Sequence, residues 1–196
     1  MPVTLTPDAL VALTDVEFFM NAKGKNTIDI AVGKDDEALE TLINAVSDVV
    51  KKYCGTLLKS QSVVAELHRG TRTHILRLKN IWNISAVVVT NTDDNSILDA
   101  GSYQVGNRGK LYLLTGTWKD PGYPLWSVAY TAGFSPIPES LKYSVVKWIA
   151  KEWMATGAER IGMVSKSVGD GASVTYDIKD IPNDIKLFLK DYRNRI

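Results

Sequence analysis

The sequence predicts an α+β fold with a helical core of three to four helices and an inserted antiparallel β section. Apolar residues recur at helical spacing near 36–54 and near 138–155, which is typical of long helices that bury one face. A shorter stripe of the same kind lies near 182–193. Between the two long helices, residues 61–132 contain short runs of β-branched and aromatic residues separated by turn sequences.

The chain has 196 residues, which is enough to bury a full core. We expect a single domain over residues 1–196. Its helical part is expected to comprise residues 1–58 and 134–196, with the β insert at 61–132. A single cysteine excludes an internal disulfide and fits a reducing compartment. No apolar run is long enough for a membrane span, and the first residues lack signal-peptide features.

The N-terminal segment predicts a short helix followed by a loop. Thr6 has the side chain of an N-cap, Pro7 suits a first helical turn, and Asp8 complements the helix dipole. These residues predict a helix at about 7–20. Residues 21–34 are polar and punctuated by glycine, and we expect a loop there.

The clearest helix opens with the acidic run Asp35, Asp36 and Glu37, where the N-terminal dipole favours carboxylates. Lys51 stands in the last turn, where cations are favoured, and Gly55 can cap the end. The stripe between these ends consists of Leu39, Leu42, Ile43, Val46, Val49, Val50 and Tyr53. This stripe predicts a helix that packs against a large apolar surface.

The β section is expected to be a meander of five or six strands. The candidate strands are 63–67, 74–78, 84–90, 103–105, 111–114 and 125–131. Asp93–Ser96 and Asn107–Gly109 have the composition of turns. The last strand ends at Gly133, and Pro138 with Glu139 suits the start of the second long helix.

The C-terminal stripe consists of Ile185, Phe188, Leu189 and Tyr192. A short helix with one apolar stripe is marginal alone, so we expect it to dock either on its own core or on a partner. Before it, residues 172–176 predict a hairpin or an extended arm.

The net charge is +1, but the charges are unevenly distributed. Residues 1–50 carry nine acidic and three basic side chains, whereas residues 51–79 carry seven basic and one acidic. Blocks of this size can pair within a subunit, between subunits or with nucleic acid, or can form solvated faces. The basic 51–79 segment leaves open a DNA-binding module as the alternative function, although no reader motif is present.

The sequence offers little for catalysis or metal binding. His68 and His74 are the only histidines, and Cys54 is the only thiol that could join them. Cys54 lies on a helix with an apolar stripe, which favours a buried structural role. We therefore expect no enzyme activity, no metal site and no cofactor.

Four segments, in their order and spacing, resemble the head–tail connector (adaptor) proteins of tailed bacteriophages. They are DDEALETLINAVSDVVKKYCG, SYQVGNRGKLYLL, VAYTAGFSPIPESLKYSVVKWIAKEW and SKSVGDGASVTYDIKDIPNDIKLFLKDYRN. The resemblance covers about residues 35–195. A departure is the longer segment at 14–34, where this family commonly runs directly from one helix to the next.

The resemblance implies a structural virion protein of the neck, made in the host bacterial cytoplasm. Such proteins form a homo-oligomeric ring, a dodecamer, below the portal protein. The ring extends the DNA channel and offers a docking surface to the stopper or tail-completion protein. Double-stranded DNA would pass through without sequence-specific binding, and no membrane is involved. Strong phosphate binding would oppose the sliding of the genome, so we expect most bases of the 51–79 segment not to line the channel.

Three groups of candidate contact residues follow from the resemblance and the charge pattern. The portal-binding candidates are Phe188, Leu189, Lys190, Tyr192, Arg193 and Arg195. The subunit–subunit candidates are Asp35, Asp36, Glu37, Glu40, Arg69, Arg72, Arg77 and Lys79. The loop candidates for contact with a neighbour or the stopper are Asp93, Asp94, Asn95, Asn107 and Arg108.

Overall fold

The computed structural model describes residues 4–22, 36–120, 122–157, 163–165, 175–176 and 181–194. The helices in this part of the chain are α1 Leu13–Ala22, α2 Asp36–Cys54, α3 Glu139–Gly157 and α4 Asn183–Leu189. The strands are β1 Gln61–His68, β2 Ile75–Arg77, β3 Ser85–Asn91, β4 Tyr103–Val105, β5 Lys110–Leu113, β6 Trp126–Ala132, β7 Met163–Ser165 and β8 Thr175–Tyr176. The predicted α+β class with an inserted antiparallel section is confirmed.

The chain divides into two compact units. The helical unit consists of Met1–Cys54 and Ile137–Arg193, and the β unit of Gly55–Pro136 and Asn194–Ile196. The division falls at the two places where the apolar period changes between helix and strand.

In the helical unit, α3 packs against α1, α2 and α4. The spacing that predicted α2 and α3 therefore describes buried stripes that face one another. The buried side chains of these elements include Leu39, Leu42, Ile43, Val46 and Val50 of α2, Leu141, Val145, Trp148 and Ile149 of α3, and Ile185 and Leu189 of α4.

The first helix begins later than the sequence predicted. We expected a helix at 7–20, but α1 begins at Leu13. The backbone N–H and the hydroxyl of Thr6 both donate to Oδ1 of Asn44, at 2.9 and 3.1 Å, so Thr6 does not act as an N-cap. Asp15 accepts a hydrogen bond from the backbone N–H of Ala12 at 2.9 Å, which satisfies a free donor beside the true start of α1.

The β section is not a simple meander. It forms two three-stranded antiparallel sheets, in the orders β1-β6-β3 and β2-β5-β4. β6, the last of these strands in the sequence, lies at the centre of the first sheet. Its buried residues alternate strictly with half-buried ones, so one face of the strand packs into the apolar core of the β unit.

The β unit has its own apolar core. Trp118 is fully buried, and its ring meets that of Trp126 edge to face, with 5.3 Å between the centroids. The other large buried side chains of this core are Leu76, Leu78, Val89, Leu111, Leu125, Val128 and Tyr130.

The junction after β6 depends on Gly133. Its φ is 105°, and a Cβ placed there would lie 2.4 Å from the carbonyl oxygen of Lys59. Only glycine fits this conformation and this close approach. Five residues later, the carbonyl of Pro138 accepts the first hydrogen bonds of α3, from the N–H groups of Leu141 and Lys142 at 3.0 Å. The turn after β6 and the helix start are therefore where the sequence predicted them.

The C-terminal helix is shorter than predicted. We expected it near 182–193, but α4 ends at Leu189 and a 3₁₀ turn continues over Lys190–Tyr192. Upstream, β8 forms the end of the predicted 172–176 hairpin or arm and pairs with β7 in antiparallel orientation. Residues 172–174 of that arm lie outside the described residues.

Candidate functional site

The C-terminal helix presents two different faces. Ile185 and Leu189 are buried in the helical unit, whereas Leu187 is 71% exposed and Phe188 is 44% exposed. Of the portal-binding candidates, Leu189 is therefore occupied by the subunit's own core. Leu187, which the sequence argument did not select, is the most exposed apolar residue of the helix. At about 100° per residue it lies almost opposite both buried residues, so a helical-wheel argument could have found it.

Side chains also hold the C-terminal helix in place. Oδ2 of Asp184 lies 3.0 Å from Nζ of Lys147 and 2.8 Å from Nζ of Lys151. The hydrogen bonds from Lys151 and Lys147 lower the pKa of Asp184 to about 2. The carboxylate of Asp184 therefore stays ionised over the whole physiological pH range.

The residues after α4 divide between internal and external roles. The hydroxyl of Tyr192 lies 2.6 Å from Oγ of Ser140. The guanidinium of Arg193 lies 5.2 Å from the centre of the Tyr53 ring, within cation–π range. Lys190 is exposed, and Arg195 lies outside the described residues. The face open to a partner therefore consists of Leu187, Phe188 and Lys190.

The acidic subunit–subunit candidates lie on the first turns of α2. Glu37 is exposed, Asp36 and Glu40 are half-buried, and Asp35 lies outside the described residues. Among the ion pairs between described residues, none involves these three carboxylates. They form an acidic surface at the positive end of the α2 dipole.

The basic subunit–subunit candidates separate into two pairs. Arg69 and Arg72 lie 3.3 and 3.6 Å from the carboxylate of Asp120. A hydrogen bond from the backbone N–H of Gly122 and these two guanidinium groups hold the pKa of Asp120 below its usual value. Both arginines thus have a counter-ion inside the β unit.

Arg77 and Lys79 have no such counter-ion among the described residues. Arg77 lies directly opposite Lys110 in the β2–β5 register, and like charges at paired positions of a sheet repel. The side chain of Lys79 is exposed. This edge of the β unit is therefore a basic surface whose charge is not balanced locally.

The first turn-rich loop follows β3. Asp94 accepts two hydrogen bonds from Ser96, and Asp93 accepts one from the Tyr123 hydroxyl at 3.0 Å. Asn95 has a φ of 56°, a left-handed conformation that asparagine tolerates. Ile97 then leaves the turn with 70% of its surface exposed. The loop thus combines two exposed carboxylates with an exposed isoleucine.

The second turn, between β4 and β5, forms one wall of a cleft. The cleft has a volume of about 580 Å³ and is lined by Ile81, Trp82, Asn83, Ile84, Val105, Gly106, Asn107 and Arg108. Asn107 and Arg108 were loop candidates, whereas Ile81–Ile84 were not. Of these four residues, only Ile84 was included in the predicted strand at 84–90, and residues 81–83 were assigned to no element.

Of the residues considered for catalysis, Cys54 and His68 face the interior, whereas His74 is exposed and stacks on the ring of Tyr112, with 6.0 Å between the centroids. Burial raises the pKa of the Cys54 thiol to about 12, so the thiol stays protonated. Glu66 is buried and accepts hydrogen bonds from the Tyr130 hydroxyl and the Lys79 N–H, and its Oε1 lies 2.8 Å from Nε2 of His68. Burial alone would raise the pKa of Glu66, but these donors outweigh it and lower the pKa. Among the described residues, no three histidine, cysteine or acidic side chains are grouped to hold a metal ion.

Comparison with known proteins shows which family the chain belongs to. A sequence model described as head completion protein matches residues 17–195. The chain belongs to the head completion protein family. The predicted role as a structural head–tail connector is therefore confirmed at the level of the family, and the DNA-binding alternative is not supported. The family match includes the 14–34 segment from residue 17 onward, although this segment departs from the resemblance.

Solved structures with the same fold come from gene transfer agent (GTA) particles. A chain of the virion of the native GTA particle matches with a TM-score of 0.60 and 17% identity, covering 100% of this chain and 96% of that one. A chain of the empty-particle neck, computed with C6 symmetry, gives 0.60 and 16%, with the same coverage. A chain of the native-particle neck, computed with C12 symmetry, gives 0.58 and 15%, again with the same coverage. At these identities the likeness concerns the fold.

No curated protein matches this head completion protein by sequence. Within the described residues, none of its helices combines the length and apolar character that crossing a membrane requires.

Proposed function

We propose that this head completion protein forms a homo-oligomeric ring in the virion neck, below the portal protein. The ring extends the DNA channel and offers a docking surface to the stopper or tail-completion protein. The observation that carries the proposal is the family match over residues 17–195. The likeness in fold to chains of GTA necks that were computed with C6 and C12 symmetry supports a ring, with twelve subunits as the favoured number.

The proposal assigns shape and contact, and no catalysis, to the chain as one connector domain over residues 1–196. The buried and protonated Cys54 thiol supports it, since a cysteine nucleophile acts as an accessible thiolate. Double-stranded DNA passes through the ring without sequence-specific binding. A gel shift with a salt series on the purified protein checks this: a connector binds weakly and equally to all sequences.

The portal contact is proposed for the outer face of the C-terminal helix. Leu187 and Phe188 expose apolar surface there, and Lys190 lies beside them. Exposed apolar residues rimmed by charge are typical of protein–protein contacts. Leu189 is buried in the helical core, Tyr192 contacts the hydroxyl of Ser140, and the exposed Arg193 lies against the ring of Tyr53; these contacts hold the chain around this face in place.

The boundary between subunits is proposed to join unlike charges. A closed ring uses heterologous contacts, so one flank of a subunit meets the opposite flank of the next. The carboxylates of Asp36, Glu37 and Glu40 would face the basic surface of Arg77 and Lys79 on the neighbour. Arg69 and Arg72 contribute less, because Asp120 already balances them.

Electron microscopy of the purified protein, alone and mixed with the portal protein of the same virion, tests the proposal. The expected result is a ring that stacks coaxially on the portal. A monodisperse monomer that neither closes into rings nor joins the portal contradicts it. Replacing Leu187 by Asp should abolish stacking but leave the fold intact, whereas the same change at Leu114, an exposed residue of the β unit, should have no effect.

A further inference from the structure

We infer that the loop after β3 of one subunit inserts into the cleft of the next subunit's β unit. The loop is Asp93–Ile97, and the cleft is the one walled by Trp82 and Arg108. The occupant is thus a second copy of this chain. The inference rests on the proposed ring, because it names the contact that links successive subunits.

The loop and the cleft have complementary chemistry. Ile97 is 70% exposed and follows the carboxylates of Asp93 and Asp94. The cleft is lined both by apolar side chains, Ile81, Trp82, Ile84 and Val105, and by the polar side chains of Asn83, Asn107 and Arg108. No ion pair to Arg108 exists among the described residues. An isoleucine beside two carboxylates suits a cleft whose lining combines apolar side chains with a guanidinium that has no counter-ion in the described part of the chain.

The two features lie at opposite ends of one strand, so a subunit cannot fill its own cleft. Ile84 immediately precedes β3, and Ile97 pairs with Thr90 near the other end of it. Thr90 lies six positions after Ile84 on a strand with a bulge between Ser85 and Val88. At about 3.4 Å per residue, roughly 20 Å is therefore the upper limit of their separation. A projection at one end and a recess at the other is the arrangement that joins subunits head to tail, which closes into a ring.

Both features are held in defined shapes before any contact. Hydrogen bonds from the Asn91 N–H to the Ser96 carbonyl and from the Leu98 N–H to the Val89 carbonyl, both 2.8 Å, fix the loop. Arg108 lies in the turn at the cleft wall and has a φ of 55°. This left-handed conformation is unfavourable for arginine and persists only where the surrounding structure defines the turn. Preformed partners lose little conformational entropy when they associate.

Disulfide cross-linking tests the contact directly. In a variant with Ile97→Cys and Val105→Cys, mild oxidation should give a ladder of covalent oligomers on a non-reducing gel, because each subunit bonds to the next. The single variants Ile97→Cys and Val105→Cys are controls that also account for the buried Cys54. The matched control pair is Ile97→Cys with Leu114→Cys, since Leu114 is 59% exposed but does not line the cleft. A ladder from the control pair equal to that of the test pair would overturn the inference.

A charge exchange gives a second, independent readout. Either Arg108→Glu or Asp93→Lys alone should raise the protein concentration needed for ring assembly by at least about tenfold. The double variant should assemble at the wild-type concentration. Folded single variants that assemble like the wild type would contradict the inference. An acidic segment of the stopper protein that cross-links to Val105→Cys in place of a second copy would also contradict it.

If the test pair forms the ladder but no ring joins the portal, the contact stands and the proposed function fails. If portal-bound rings form without the ladder, the proposed function stands and this contact is excluded.

Discussion

Nζ of Lys151 on α3 lies 2.8 Å from Oδ2 of Asp184 on α4. This ion pair and the neighbouring one to Lys147 fasten the C-terminal helix to the long helix that precedes it. The terminal helix is thus attached to its own subunit, and only its outer face remains for a partner. The predictions below begin with this attachment.

The attachment should weaken in acid. The pKa of Asp184 is about 2 in the folded protein, below the value of about 3.9 for an unperturbed aspartate. A lowered folded pKa means that the pair stabilises the fold above pH 4 and that this stabilisation is lost as the pH falls from about 4 towards 2. Hydrogen exchange of the α4 amides should show the loss, and Asp184→Asn should abolish this pH dependence. Because the carboxylate is exposed, 1 M salt should produce a similar but smaller effect. An unchanged exchange rate in Asp184→Asn would contradict the attachment.

Two leucines of the terminal helix should behave in opposite ways. Leu189→Ala removes a fully buried side chain and should lower the free energy of unfolding by about 2–5 kcal/mol. Leu187→Ala removes an exposed one and should change it by less than about 0.5 kcal/mol. Urea unfolding measures both changes. Portal binding should show the opposite order of effects. Leu187→Ala should weaken binding more than Leu189→Ala does, under conditions where Leu189→Ala is still folded. Equal effects of both variants on stability would show that the helix packs differently.

The hydrogen-bond network of Glu66 should stabilise the β unit. Tyr130→Phe removes one donor to the buried carboxylate and leaves Asn80 without an acceptor for its Nδ2. We expect a loss of about 1–3 kcal/mol, measured by chemical denaturation. Burial and the bond to Glu66 raise the pKa of Tyr130, so the phenol stays protonated and no loss of this contact is expected as the pH rises to 10. A variant as stable as the wild type would mean that the network contributes nothing.

The same carboxylate predicts an acid dependence of the β unit. The pKa of Glu66 is lowered in the folded protein, so its contribution is present above the unfolded value and is lost as the pH falls through the folded one. Glu66→Gln should flatten this part of the stability profile. Equal profiles for Glu66→Gln and the wild type would contradict the role given to Glu66.

Trp118 should be the most costly single truncation in the β unit. Its side chain is fully buried, contacts Trp126 edge to face and donates from Nε1 to the His74 carbonyl at 3.2 Å. Trp118→Ala should cost about 3–5 kcal/mol by thermal or urea unfolding. Leu114→Ala, at a site 59% exposed, serves as the control and should be near neutral. A small loss at Trp118 would show that the β-unit core does not depend on it.

The sequence by itself determined the elements that bury one regular face. The stripe from Leu39 to Val50 predicted α2, and the acidic run at its start and Gly55 after its end predicted its limits. Pro138 predicted the start of α3 to within a residue. Periodicity and capping act within a few residues of the chain, so the sequence alone shows them. The family resemblance rested on the order of such local segments. The match over residues 17–195 confirmed it, since neither requires knowledge of how strands pair.

Only the tertiary structure decided the partners. It placed β6 between β1 and β3, buried Leu189 but exposed Leu187, and gave Arg69 a counter-ion in Asp120, 51 residues away in the sequence. It also brought Trp82 and Arg108 together in one cleft. Strand pairing, ion pairs and clefts join residues that are distant in the chain, and local composition carries no information about which of several equivalent partners will be chosen. The surfaces left unpaired after those choices are the ones available for assembly.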